Sequence, residues 1–367
     1  MNWHTVRTKA FYQMPSSTRP SRAKSALGWS LLIAISAVLG WTLTALHFPA
    51  GVLLACMLSG IFLSSRETRL GVPGILFSLA QGVLGCLMAQ SLQPATLARV
   101  AGDWPIFLGA TVSIIAASAA LGWLLMRRQI FPGTTAIWGL APGAASAMVV
   151  LAEAYGADMR LVAFMQYLRV AVVTALAALV AHLWTSQDGP VATPTHWLGV
   201  TSAYDMGCTL LLAFGVASLG RWLRIAGGAM VLPLFFGVLL QEMGVLVIEL
   251  SPVLLALSYA VIGWSIGLRF TPALLQHAWR SLPVVLASIF ALIGVGILTA
   301  VALNQLAGHD ALTAYLASSP GGADSVAVIA ATSAADAGFV MAMQMARFLM
   351  VLMFGPRVSK FIAARSP

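Results

Sequence analysis

The sequence predicts an all-α polytopic membrane protein of two inverted repeats, each with about five spans plus one broken or re-entrant segment, about 10–12 membrane segments in total. Three observations lead there. The composition is too apolar for a water-facing surface. Twelve apolar runs fall six and six about a polar link. The loop arginines obey a single orientation rule only if the second half is turned over.

Of the 367 residues, 60% are hydrophobic and 8% charged, with a mean hydropathy of +0.91. Soluble domains carry about 25% charged residues, and a soluble fold of this composition would expose a large apolar surface. Lipid as the outer solvent removes the conflict. The net charge of +9 does not point to nucleic acid, because the basic residues sit in the N-terminal tail and in short loops between apolar runs. Cys56, Cys86 and Cys208 lie singly in apolar segments, and the six histidines form no His-x-x-x-His pair. Neither a disulfide framework nor a metal or cofactor site is expected.

In chain order, residues 1–26 read as a disordered basic cytoplasmic tail without the apolar core of a signal peptide. The first membrane repeat occupies 27–184, with runs at about 27–46, 50–64, 71–91, 103–126, 131–155 and 159–184. A polar linker at 185–201 carries Asp188, Gly189 and three prolines, without Lys or Arg. The second repeat occupies 202–358, with runs at about 202–220, 228–243, 251–268, 282–306, 310–332 and 336–356, before a short cytoplasmic tail at 359–367.

The halves repeat. A shift of 178 lays Pro272 on Pro94, Pro283 on Pro105 and Gly263 on Gly85; upstream, a shift of 177 lays Gly237 on Gly60 and Gly228 on Gly51. Residues 142–169 and 320–347 share 11 identities in 28 positions without a gap. Apolar-biased chance would give about 3. If every run crossed, Arg221, Arg224, Arg269 and Arg280 would lie outside, against the positive-inside rule. If 131–155 and 310–332 enter and leave on one side, those arginines fall inside with Arg66, Arg69, Arg127, Arg128 and Arg160, and outside falls only Arg99. Each half then has an odd number of crossings, which inverts the second. A variant of equal parity makes the broken segments true crossings and merges or drops another run, such as 50–64; charge does not separate the two.

Both of those segments break in the middle, at Leu140-Ala141-Pro142-Gly143-Ala144-Ala145-Ser146 and at Ser318-Ser319-Pro320-Gly321-Gly322-Ala323-Asp324. Proline removes a helix hydrogen bond and glycine permits unusual backbone angles. Loose backbone at membrane depth must be buried in protein or line a wet cavity. Matched breaks in inverted halves point to a solute site near the midplane, with a ligand-free kink as the plainer alternative. After each break, Asp158, Gln166 and Arg169 fall on one helical face, and Asp336, Gln344 and Arg347 repeat them. Each arginine rises about 16 Å above its aspartate, deep enough for an intramembrane guanidinium to be a functional candidate. The alternatives are that the arginines tie down carbonyls of the broken segments and that Asp158 and Asp336 are helix caps. Asp324 has Ser146 as its counterpart, so one carboxylate stands alone where it could carry H⁺ or Na⁺. The candidate solute-binding residues are Pro142, Gly143, Ser146, Gln166, Arg169, Ser319, Pro320, Gly321, Gly322, Asp324, Ser325, Gln344 and Arg347; Asp158 and Asp336 are structural.

Pro142-Gly143-Ala144-Ala145-Ser146-Ala147-Met148, Glu153…Gly156-Ala157-Asp158 and Phe164-Met165-Gln166-Tyr167-Leu168-Arg169-Val170 resemble the first repeat of the bacterial AbrB membrane family. Ser319-Pro320-Gly321-Gly322-Ala323-Asp324-Ser325 and Phe339-Val340-Met341-Ala342-Met343-Gln344…Arg347 resemble the second. The resemblance implies a bacterial inner-membrane protein with both termini cytoplasmic. It brings the family's labels, ammonia monooxygenase or regulator of expression of another gene; the first finds no ligand cluster or dinucleotide fingerprint in these residues. The family is also similar to inverted-repeat carriers, cation–proton antiporters and bile-acid-type symporters among them, which implies motion around crossed, broken helices. The breaks differ, Pro-Gly-Ala in the first and Pro-Gly-Gly in the second, so their tips need not share a ligand role.

The expectation is a secondary-active transporter, not an enzyme, that moves a small anionic solute with H⁺ or Na⁺ by alternating access. Its expected partners are that solute, the coupling ion and the lipid bilayer, with no direct nucleic-acid contact and a homodimer left open. The alternative is a membrane sensor that regulates gene expression through a partner.

Overall fold

The computed structural model describes residues 22–46, 48, 50–66, 70–92, 104–142, 148, 152, 157–185, 202–223 and 227–363. The sequence-predicted site residues Gly143 and Ser146, most of the linker, and residues 1–21 and 364–367 of the tails lie outside them. The described residues are helical, without strands. The helices are α1 (Arg22–Ala45), α2 (Gly51–Ser64), α3 (Gly74–Ser91), α4 (Trp104–Arg127), α5 (Thr135–Leu140) and α6 (Met159–Thr185). They continue with α7 (Ala203–Leu210), a π segment (Leu211–Val216), α8 (Ala217–Trp222), α9 (Gly228–Glu242), α10 (Pro252–Gly267) and α11 (Pro272–Ala278). A 3₁₀ turn then leads to α12 (Leu282–Ala307), α13 (Ala311–Ser318), α14 (Ala323–Ala331) and α15 (Ala337–Ala363).

Among the described residues, five stretches are long and apolar enough to cross a bilayer: Ala26–Ala45, Gly74–Ser91, Trp104–Arg127, Met159–Trp184 and Pro272–Ala307. Shorter apolar helices stand beside them, α2, α9 and α10 among them. Trp41, Leu211, Trp222 and Leu298 are among the large apolar side chains on the outer surface. A polytopic membrane protein is the reading that reconciles that surface with the composition.

Most sequence-predicted runs correspond to helices within a few residues, including the run at 50–64, which is a helix of its own, α2, neither merged nor dropped. Three differences stand out. Helix α1 begins at Arg22 and α15 continues to Ala363, so the ends read as tail extend adjoining helices. The run at 202–220 is interrupted by the π segment, at which Gly82 of α3 stands so close that a Cβ there would lie 2.0 Å from the Ala213 carbonyl oxygen. Helix α11 arises in a stretch read as loop: Thr271 accepts from the Leu274 N–H at 3.4 Å and Pro272 opens the first turn, where its missing N–H costs nothing.

Packing follows the internal repeat. Helices α6 and α15 are both 27 residues long and lie 178 residues apart. Helix α10 packs along α2 and α9 along α3, each contact joining one half to the other. The repeated glycines sit at these crossings. A Cβ on Gly263 would lie 2.5 Å from the Leu53 carbonyl, and one on Gly85 would lie 2.4 Å from the Met230 carbonyl. Bare backbone lets helices approach where dispersion, rather than the hydrophobic effect, holds them in lipid.

Candidate functional site

The two breaks share one local design. Proline disfavours helical geometry in the residue before it, and Ala141 and Ser319 are accordingly extended, at φ −57°, ψ 125° and φ −60°, ψ 133°. Helices α5 and α13 therefore stop with terminal carbonyls that lack intrahelical donors. The following long helix supplies those donors. Gln166 Nε2 donates to the Trp138 and Ala141 carbonyls at 2.8 and 3.0 Å; Gln344 Nε2 donates to those of Leu316 and Ser319 at 2.9 and 3.3 Å. Arg169 Nη1 donates to the Leu140 and Ala141 carbonyls at 3.1 and 3.0 Å, and Arg347 Nη1 to the Ser319 carbonyl at 2.7 Å. Each arginine also donates to its own glutamine's Oε1, one helical turn back.

The bases of the long helices repeat as well. The N–H of Asp158 donates to Thr135 Oγ1 at 3.0 Å, and that of Asp336 to Thr313 Oγ1 at 2.8 Å. Both aspartates cap: Asp158 Oδ1 accepts from the Arg160 and Leu161 N–H groups, and Asp336 Oδ1 from that of Phe339. His277 Nε2 stands 3.0 Å from Asp158 Oδ2. Partial burial raises the Asp158 carboxyl, but His277 and the two backbone N–H groups outweigh it and hold the group below the usual carboxylate range.

Between the breaks lies a cavity of about 150 Å³. Of the sequence-predicted residues, Pro142, Gly321, Gly322, Asp324, Ser325, Gln344 and Arg347 line it. Gln166, Arg169, Ser319 and Pro320 do not; Gln166, Arg169 and Ser319 are at most 1% exposed and work on backbone behind the wall. Arg169 therefore holds carbonyls of the first break, and no solute reaches it in this conformation. Arg347 does both, since it ties the second break and faces the cavity.

Four polar lining residues lay outside the sequence-predicted set: Gln81, Tyr167, Ser265 and Arg269. Gln81 donates from Nε2 to Asp324 Oδ2 at 3.3 Å. Its signal was an amide in the middle of the apolar helix α3, which carries a second one, Gln90, near its end. Arg269, read as an ordinary loop arginine, donates from Nη1 to Tyr167 Oη at 2.5 Å and from Nε to the Ser265 carbonyl at 3.2 Å. Its guanidinium sits 4.6 Å from the centre of the Tyr167 ring. Nothing local marks Arg269, whereas Tyr167 adjoins Gln166. No carboxylate lies within salt-bridge distance of Arg169, Arg269 or Arg347 among the described residues. Apolar walls come from Phe77, Met230, Ile266 and Phe348. Chemically, the cavity offers guanidinium donors, one carboxylate and an apolar surface between two backbone breaks.

The family model described as transition state regulatory protein AbrB matches residues 53–363. A protein of Escherichia coli (strain K12) named "Putative regulator AbrB" is 43% identical over 343 residues, 93% of this chain and 98% of its own. A protein of Bacillus subtilis (strain 168) named "Uncharacterized protein YhjN" is 26% identical over 353 residues, covering 91% of this chain and 90% of its own.

Proposed function

The chain belongs to the AbrB family, and from that premise we propose that it is a secondary-active transporter of a small anionic solute, coupled to H⁺ or Na⁺. One observation carries the reading: two broken helices, 178 residues apart and tied by the same Gln-Arg pair, border one cavity that holds Arg347 and Asp324. Interrupted helices at matched positions are how carriers place ligand groups at membrane depth. Guanidinium groups without a carboxylate partner favour an anion. Asp324 is the group assigned to the coupling ion. The halves are taken as inverted, and alternating access as a rocking of one against the other about the breaks. Arg269 belongs to the loops assigned to the cytoplasm, so the mouth in this conformation faces inward. The bacterial inner membrane is the assigned location.

The test is uptake into proteoliposomes under an imposed H⁺ or Na⁺ gradient, with a panel of carboxylates, amines and inorganic anions. Uptake of an anion that collapses with the gradient supports the reading; none above empty vesicles for any member refutes it.

A second reading, a membrane sensor that alters gene expression through a partner, is favoured by the word "regulator" in the name of the 43% identical relative. A deletion strain distinguishes them. Transcript changes that Arg169→Ala and Arg347→Ala versions still complement, while uptake is lost, would favour the sensor.

A further inference from the structure

We propose that the solute is a monocarboxylate with a compact apolar body of about six carbons, its carboxylate bound by Arg269 at the mouth and its body held among Phe77, Met230, Ile266 and Phe348. This rests on the transporter reading for its biological use, but the binding claim stands on the cavity.

Charge sets the valence in the state with Asp324 ionised and no coupling ion bound. Arg269 and Arg347 then line the cavity against Asp324, which leaves one net positive charge with no carboxylate at salt-bridge distance from either arginine among the described residues. A monoanion neutralises that lining, whereas a dianion would leave a surplus negative charge in a low-dielectric site until a cation on Asp324 offsets it.

Donors and exposure together place the anion. Arg347 spends Nη1 on the Ser319 carbonyl and Nη2 on the Gly321 carbonyl and Gln344, which leaves only its Nε, on a side chain 4% exposed. Arg269 spends Nε on the Ser265 carbonyl and Nη1 on Tyr167, and its Nη2 has no hydrogen-bond partner among the described residues. Arg269 is exposed, so its desolvation is modest, and Tyr167 positions it by a hydrogen bond and a stacked ring. A planar fork held this way suits a planar carboxylate.

The walls and the size fix the body. An apolar cavity of 150 Å³ accepts a benzene ring, and this cavity is of that size. An inorganic anion would leave the apolar wall of Phe77, Met230, Ile266 and Phe348 facing a void.

The experiment is ligand-dependent thermal unfolding and direct binding by the purified chain in nanodiscs at fixed pH, with formate, acetate, butyrate, hexanoate, benzoate, succinate, leucine, chloride and phosphate as probes. Affinity is expected to rise about three- to fourfold per added methylene along the linear series, with benzoate and hexanoate tightest. Arg269→Gln should weaken benzoate at least about tenfold and Arg269→Lys by less, because a lysine keeps the charge without the fork. Arg128→Gln, an exposed turn arginine, should change nothing. A flat series from formate to hexanoate, tighter binding of succinate, leucine or an inorganic anion, or benzoate affinity indifferent to Arg269→Gln would each overturn the assignment. An inorganic anion that is both bound and carried overturns it while leaving the carrier reading intact. Benzoate that binds as expected but is never carried supports it and removes the carrier reading alone.

Discussion

Replacing Arg169 by methionine removes the clamp behind the first break while leaving the cavity lining intact. Three hydrogen bonds go, to the Leu140 and Ala141 carbonyls at 3.1 and 3.0 Å and to Gln166 Oε1 at 2.8 Å. Hydrogen bonds to a charged group contribute about 1.5–3 kcal/mol each, a gross loss of about 4–9 kcal/mol. Two features work the other way. Arg169 is 1% exposed and its Nε is buried without a partner. Arg347 also lies within its electrostatic reach. Removing so poorly compensated a charge returns several kcal/mol. The balance is a net destabilisation of about 1–4 kcal/mol, seen as a fall of about 1–5 °C in the unfolding midpoint of a chain this long. Thermal unfolding in detergent micelles reads it. A cycle with Gln166→Leu should show coupling of at least about 0.5 kcal/mol, because the two side chains clamp as a unit. An Arg169→Met protein as stable as the parent, or strict additivity with Gln166→Leu, would refute the clamp.

Three further outcomes follow from the geometry. Thr135→Val and Thr313→Val should each destabilise by about 0.5–1.5 kcal/mol, since each removes the acceptor of the part-buried N–H of Asp158 or Asp336; similar unfolding shifts are expected, and a null effect at either site would break the local equivalence. Gly82→Leu should destabilise by at least about 1–3 kcal/mol, because its Cβ would meet the Ala213 carbonyl at 2.0 Å. Gly109→Ala, with nothing within 4 Å, should instead stabilise α4 by up to about 1 kcal/mol in the same melts. Asp158, its carboxyl held below the usual range, stabilises the fold at pH values above its unfolded pKa of about 3.9. That contribution is lost as pH falls below about 4 towards the folded value, and an Asp158→Asn protein should show a flatter stability profile there.

The membrane class and the two breaks were legible because each is local or periodic. Apolar runs state burial in lipid residue by residue, and Pro142 and Pro320, each beside a glycine, disfavour helix at Ala141 and Ser319 locally. The fixed shift of 178 carried the pairing of Gln166-Arg169 with Gln344-Arg347. It also flagged the glycines that prove to be crossings, although spacing alone could not tell a close approach from a hinge.

What one dimension leaves undecided is where side chains spend their donors. Arg169 and Arg347 are equivalent in the sequence, yet only Arg347 reaches the cavity, because the two halves meet there through unlike surroundings. Arg269, in the turn after α10, and Gln81, on α3, come to the site from far along the chain from either break, carried there by crossings at bare glycine backbone. The sequence by itself determined a duplicated, lipid-embedded helical chain with two weak points in its backbone. Only the tertiary structure decided which polar groups surround those points, because a hydrogen bond's partner is chosen by distances of a few ångströms that helix packing sets and chain order does not.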